Sequence, residues 1–250
     1  RREIVRENKY AAFGDRNATE ITYLEKSFYL NLAMVAVEIL RARRISQAQL
    51  EQRALATNPE VLRSASDNFN RPLMILTLHQ GNWEWMLHST AAQVHMPIVP
   101  LYKPLHEVAI DQFIYQVRSR FGATPLPLSQ APADILRHRA TPRCIVIVAD
   151  QAPASPERCH TTRFLGLPTA FHTGPARLAK RMGASVVFVS CRRKAMGKYS
   201  LHYQLLAQAD EALTANDITE RYARAAEQAI HREPQSWLWS HRRWRQAGLY

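Results

Sequence analysis

His79 and Glu84 stand five residues apart in the stretch Leu73-Met-Ile-Leu-Thr-Leu-His79-Gln-Gly81-Asn-Trp-Glu84-Trp-Met. A histidine titrates near neutral pH and can take a proton from a hydroxyl, while a nearby carboxylate can fix its working tautomer and steady the imidazolium that forms. Facing a thioester, such a pair needs no protein nucleophile, because the acceptor alcohol attacks directly. The separation does not place both side chains on one face of a continuous helix, so the pair requires a turn, which Gly81 supplies. A buried strand followed by an ordinary loop reads equally well from spacing alone.

The elements around this stretch set the geometry. An apolar run of strand length ends at His79 and a helical pattern begins at Glu84. A strand-to-helix junction of this kind exposes a titratable side chain at the carboxyl end of a sheet, beside free N–H groups at a helix start. From residue 73 onward, short apolar runs at 73–78, 98–102, 144–149, 185–191 and 200–206 alternate with helical patterns at 84–94, 107–120, 132–138, 174–182 and 219–231. That alternation is the signature of an α/β fold, a central mixed sheet flanked by helices. The run 200–206 alternates in polarity and reads as an edge strand.

Residues 1–70 read as mainly helical and 71–250 as the α/β catalytic part of one domain. A cap at Asn17 or Thr19 begins a long helix over 20–43, with Ile21, Leu24, Phe28, Leu32, Val35 and Ile39 on one face. That stripe reads as core, with a membrane-lying face as the sharper alternative because the helix ends in the basic run Arg41 to Arg44. A second helix is expected over 46–56, and a third after Pro59.

With 250 residues and 46% hydrophobic content, the chain is long enough for one large core, and no repeat or low-complexity linker divides it. A formal charge of +12 favours phosphate-rich partners: nucleic acid, an anionic membrane or acidic headgroups. Cys144, Cys159 and Cys191 are odd in number and lack C-x-x-C spacing, which argues against a disulfide framework or a structural zinc and suits a reducing compartment. Cys159-His160 has no partners at metal spacing. No P-loop, dinucleotide fingerprint or serine-hydrolase elbow is present. No apolar run reaches bilayer-spanning length and no signal peptide is visible.

The segment His79-Gln-Gly-Asn-Trp-Glu84 resembles the H-x4-[DE] signature of glycerolipid acyltransferases, in the form found in the bacterial lipid A biosynthesis (lauroyl/myristoyl) acyltransferase family. Further blocks resemble that family in order: Tyr102-Lys103-Pro104, Arg118-Ser-Arg120-Phe-Gly122, Asp150-Gln151, Phe164-Leu-Gly166-Leu-Pro168, Thr173-Gly-Pro-Ala176 and Trp237-Leu-Trp239-Ser-His241-Arg-Arg-Trp244. The resemblance implies direct transfer of a fatty acyl group from an acyl carrier protein or coenzyme A thioester to a hydroxyl of a membrane glycolipid such as a lipid A precursor. It makes His79 the base and Glu84 its partner, and places Asn82, Lys103, Arg118, Arg120 and Asp150 at the substrate. No metal or other cofactor is implied. The expected location is the cytoplasmic face of a bacterial inner membrane, peripheral or anchored by a segment outside this chain.

Two departures bear on the acceptor. Lys103 stands where arginine is usual, replacing a bidentate contact with a point charge, and Asp150-Gln151 continues as Ala152-Pro-Ala-Ser-Pro156. A lysophospholipid or another lipid fits these as an alternative acceptor, as does hydrolysis of the thioester by water. A basic nucleic-acid-binding protein is the alternative of a different class. Trp237, Trp239 and Trp244, interleaved with His241, Arg242, Arg243 and Arg245, suit a headgroup-level interface or a nucleic-acid stacking surface or, equally, a core helix with one basic side.

Overall fold

A computed structural model describes residues 1–153, 158–245 and 248. Its main sheet has seven strands among these residues, in the order β1 (Ala54–Ala56), β9 (Lys198–Ala207), β8 (Ser185–Ala195), β2 (Leu73–Thr77), β5 (Cys144–Val148), β3 (Ile98–Tyr102) and β4 (Leu126–Pro127). β2 lies at the centre, parallel to β5 and β8, while β9 returns antiparallel along β8. The fold is therefore α/β with a mixed sheet, as the alternating pattern implied.

Alternate residues of β2 feed two cores. Met74 and Leu76 pack with α8 (Gly174–Met182) and α9 (Ala215–Arg232) on one face. Leu73 and Ile75 pack on the other with Trp85 of α5 (Trp83–Gln93) and Val117 of α6 (Val108–Ser119). All five β2 residues are buried, as a strand covered on both faces requires.

α1 (Arg2–Ala12) precedes α2 (Ala18–Ala42), which Asn17 caps by accepting the Glu20 N–H. Ile21, Leu24, Phe28 and Val35 are buried along α2 as expected. The amino-terminal half of α2 belongs to one core, and Ala42 at its end belongs to the other. The helix thus passes from one face of the sheet to the other.

One local expectation gives way to tertiary pairing, a second does so in part, and one hairpin was not foreseen. The helix expected over 46–56 ends at Arg53 as α3 (Gln47–Arg53), and Ala54–Ala56 form β1 against Tyr199 to Leu201. The edge expected over 200–206 is therefore covered only as far as Leu201. Its alternation arises because Leu201 and Tyr203 point into the core while His202 and Gln204 face outward. A hairpin of β6 (Cys159–Phe164) and β7 (Leu167–His172) was not visible in the sequence, because β6 is largely polar and β7 carries a proline and no continuous apolar run. Leu165 and Gly166 close it with φ of 50° and 80°, the positive pair a tight hairpin turn needs.

The tryptophans near the carboxyl end are core residues rather than a headgroup-level belt. Trp237, Trp239 and Trp244 are buried, following a single 3-10 turn at Pro234–Ser236. Arg243 is buried with them, stacked on Phe171 at 4.4 Å. Residues 154–156 of the segment after Asp150 lie outside the described residues.

Candidate active site

The sheet brings residue 79 opposite residue 150. β2 and β5 run parallel with Thr77 across from Val148, and continuing that register by two residues aligns His79 with Asp150. Asp150 Oδ1 lies 2.7 Å from His79 Nδ1, and its Oδ2 accepts the His79 backbone N–H at 3.0 Å. Trp237 Nε1 donates to the same Oδ2 at 2.7 Å. Burial alone would raise the Asp150 pKa, but the histidine and these three donors outweigh it and bring the carboxyl down to about 2. A carboxylate in this state accepts the proton on Nδ1. That fixes the tautomer with Nε2 as the basic nitrogen, on a side chain that retains 19% exposure.

Gly81 creates the bend after His79. Its φ is +59°, and a Cβ there would stand 2.3 Å from the Cys191 carbonyl oxygen on β8, so only glycine fits. Its N–H donates to Ser236 O at 3.2 Å, which removes it from the donors available to a reacting group. Asn82 then caps α5, its Oδ1 accepting the Trp85 N–H at 3.0 Å. The other end of its amide donates to Glu38 Oε2 of α2 at 3.1 Å. Both ends of Asn82 are thus used within the protein.

Glu38 is itself held from β8 and β9. Arg193 NH1 donates to Oε1 at 2.6 Å, Tyr199 OH donates to Oε2 at 2.5 Å, and Arg193 Nε reaches Asn31 Oδ1 at 3.1 Å. Burial, and then the Glu38 hydrogen bond, push the Tyr199 hydroxyl well above its ordinary range, so it stays a donor. The start of α5 is therefore tied to α2 and to the β8–β9 hairpin.

Glu84 lies in the first turn of α5 and is buried, but its contact is with Arg118 of α6. Arg118 Nε donates to Oε2 at 2.9 Å and NH2 to Oε1 at 2.6 Å, a bidentate clamp, with the guanidinium 5.7 Å from the Tyr102 ring centroid. The carboxylate that touches His79 is thus Asp150. Arg120 turns away from Glu84: its NH1 donates to Ala42 O at 2.5 Å at the end of α2. Lys103 is exposed just beyond β3. Since β3 runs parallel to β5, Lys103 lies at the same carboxyl end of the sheet as His79.

His88, one turn beyond Glu84, is fully buried, and neither ring nitrogen has a hydrogen-bond partner among the described residues. Its ring lies 4.9 Å from that of Phe121. Burial lowers its pKa to about 4, so it is neutral at pH 7. The Cys144 and Cys191 thiols are buried and pushed up, Cys191 to about 12, as inert apolar neighbours would be. His160 pairs with Glu220 at 2.7 Å, and among the described residues no three His, Cys, Asp or Glu side chains gather in a group suited to a metal ion.

The contacts of Trp237, Glu38 and His241 had no sequence signal. His241 Nε2 accepts the Ala152 N–H at 2.9 Å and so steadies the chain after Asp150. Each contact joins residues more than 40 positions apart, and strand order was the missing information.

The chain matches the family described as bacterial lipid A biosynthesis acyltransferase over residues 1–246. No curated protein matches it.

Proposed function

The chain belongs to the bacterial lipid A biosynthesis acyltransferase family and is an acyltransferase, and from that premise we propose that His79 is the general base, oriented by Asp150. The substrates are an acyl carrier protein or coenzyme A thioester and a hydroxyl of a membrane glycolipid such as a lipid A precursor, met at the cytoplasmic face of the inner membrane. His79 Nε2 takes the proton of the acceptor hydroxyl, and the oxygen attacks the thioester carbonyl carbon. The tetrahedral oxyanion collapses with cleavage of the C–S bond, and the departing sulfur receives the proton from His79.

The observation that carries this reading is the double hydrogen bond from His79 to Asp150, which fixes one tautomer on a side chain still open to solvent. The N–H groups of Trp83 and Glu84, at the first turn of α5, are the candidates for stabilising the oxyanion, since among the described residues Gly81 and Trp85 donate within the protein. Glu84 and Arg118 together hold α5 against α6 beside the base, and Lys103 and Arg118 offer positive charge to a phosphate on donor or acceptor.

The test is product analysis with a labelled acyl thioester and bacterial membrane lipids. Wild type should yield an acylated glycolipid, and His79→Ala should abolish it. Labelled free fatty acid alone would make the protein a hydrolase, and unchanged turnover by His79→Ala would remove the base.

A further inference from the structure

The polarity of α2 is reversed over its middle. Between Ser27 and Arg41 the polar side chains capable of charge or amide hydrogen bonding are Asn31 and Glu38, and both point inward to Arg193. The residues that face out are Leu30, Ala33, Ala36, Val37 and Leu40, with Leu30, Val37 and Leu40 exposed by 63%, 65% and 63%. A helix on a water-facing surface places charge outward. Here the outward charges stand at the ends of the stripe, Lys26 before it and Arg41, Arg43 and Arg44 after it.

The stripe lies at the active-site end of the molecule. Its inner face holds Asn82 through Glu38, and its carboxyl end receives Arg120 at Ala42 O. Val108 and Ile110, at the start of α6 beyond the carboxyl end of β3, add two more exposed aliphatic side chains at that end of the sheet. An apolar stripe bounded by basic residues is the pattern of a helix that lies in a bilayer surface, and among the described residues no helix is long and apolar enough to cross a membrane.

We infer that the outer face of α2 is the docking surface for an anionic bilayer, with Leu30, Val37 and Leu40 at the headgroup–acyl boundary and Arg41, Arg43 and Arg44 on lipid phosphates. The net charge of +12 complements such a surface. Docking in this way faces the His79 end of the sheet toward the lipid that carries the acceptor hydroxyl. The use of the surface for acceptor delivery rests on the acyl-transfer reading above, whereas the docking itself does not.

Flotation with vesicles of phosphatidylglycerol and phosphatidylethanolamine tests it, against vesicles of phosphatidylcholine alone. Wild type should float with the anionic vesicles, and the double variant Leu30→Glu with Val37→Glu should lose partitioning by more than about tenfold. Its turnover on a short-chain acceptor dispersed in detergent should stay at the wild-type level. Val37→Trp, a milder change, should shift its fluorescence to the blue on vesicle addition. Equal flotation of wild type and double variant, or no Val37→Trp shift in vesicle-bound protein, overturns the proposal. So does conversion of a dimer to a monomer by the double variant with flotation intact, which would make the stripe a contact between two copies. Protein that floats as expected but transfers no acyl group overturns the chemistry at His79 and leaves the docking surface standing.

Discussion

Asp150 grips His79 at both ends of one residue, accepting from the ring Nδ1 at 2.7 Å and from the backbone N–H at 3.0 Å. Asp150→Asn keeps the shape but can present its NH2 to Nδ1 and favour the wrong tautomer. Turnover should fall about 10²- to 10⁴-fold with the KM for the thioester little changed. Glu84→Gln, which leaves the His79 contacts intact, should act less on kcat. Steady-state kinetics on the two variants separate the carboxylates, and a larger kcat loss in Glu84→Gln would return the partner role to Glu84.

Glu38 ties α2 to the turn that carries His79. Glu38→Gln leaves the partly buried Arg193 guanidinium without its counter-charge, which should destabilise the protein by about 2 kcal/mol. Asn82 would at the same time lose a charged acceptor, so kcat should fall even in the fraction that remains folded. Denaturant titration gives the first effect. Paired with Arg193→Met, a double-mutant cycle should give strong coupling, and additive effects would mean the network does not act as a unit.

Gly81 and Gly122 both have positive φ, at 59° and 85°, but only the former is crowded. A Cβ on Gly81 meets the Cys191 carbonyl oxygen at 2.3 Å, while nothing lies within 4 Å of one on Gly122. Gly122→Ala should therefore cost about 1 kcal/mol of backbone strain, and Gly81→Ala considerably more, with loss of activity from a displaced His79. Thermal melts and turnover of the two variants provide the comparison.

The strand at 73–77, the turn at Gly81 and the helix beginning beside Glu84 were legible because each is written in local residue type: continuous β-branched and aliphatic residues, a glycine, then a capped start. What chain order does not contain is which strand lies beside which. Asp150 was visible as a carboxylate ending a buried strand, but its pairing with His79 requires β5 to sit next to β2, a crossover of 71 positions. The outward stripe of α2 was hidden for a related reason. Ile21, Leu24, Phe28 and Val35 form a sufficient core face by themselves, and nothing local signals that Asn31 and Glu38 turn in to meet Arg193 while Leu30 and Val37 turn out.

His88 supplies a pH signature. Its folded pKa, about 4, lies below the ordinary histidine value of 6.5 because burial disfavours the charged ring. Between these values the unfolded chain binds a proton that the folded one does not, so the contribution is present above pH 6.5 and lost as pH falls toward 4. Over that window the wild type should lose up to about 3 kcal/mol from this residue. His88→Leu removes two ring nitrogens that have no partner among the described residues and retains an apolar side chain of similar size. The variant should be more stable than wild type at pH 7 by about 1 kcal/mol or more, and its stability should depend less on pH between 6.5 and 4. Urea titrations at several pH values measure both quantities. Parallel pH profiles for wild type and His88→Leu would show that the ring is hydrated or paired in solution.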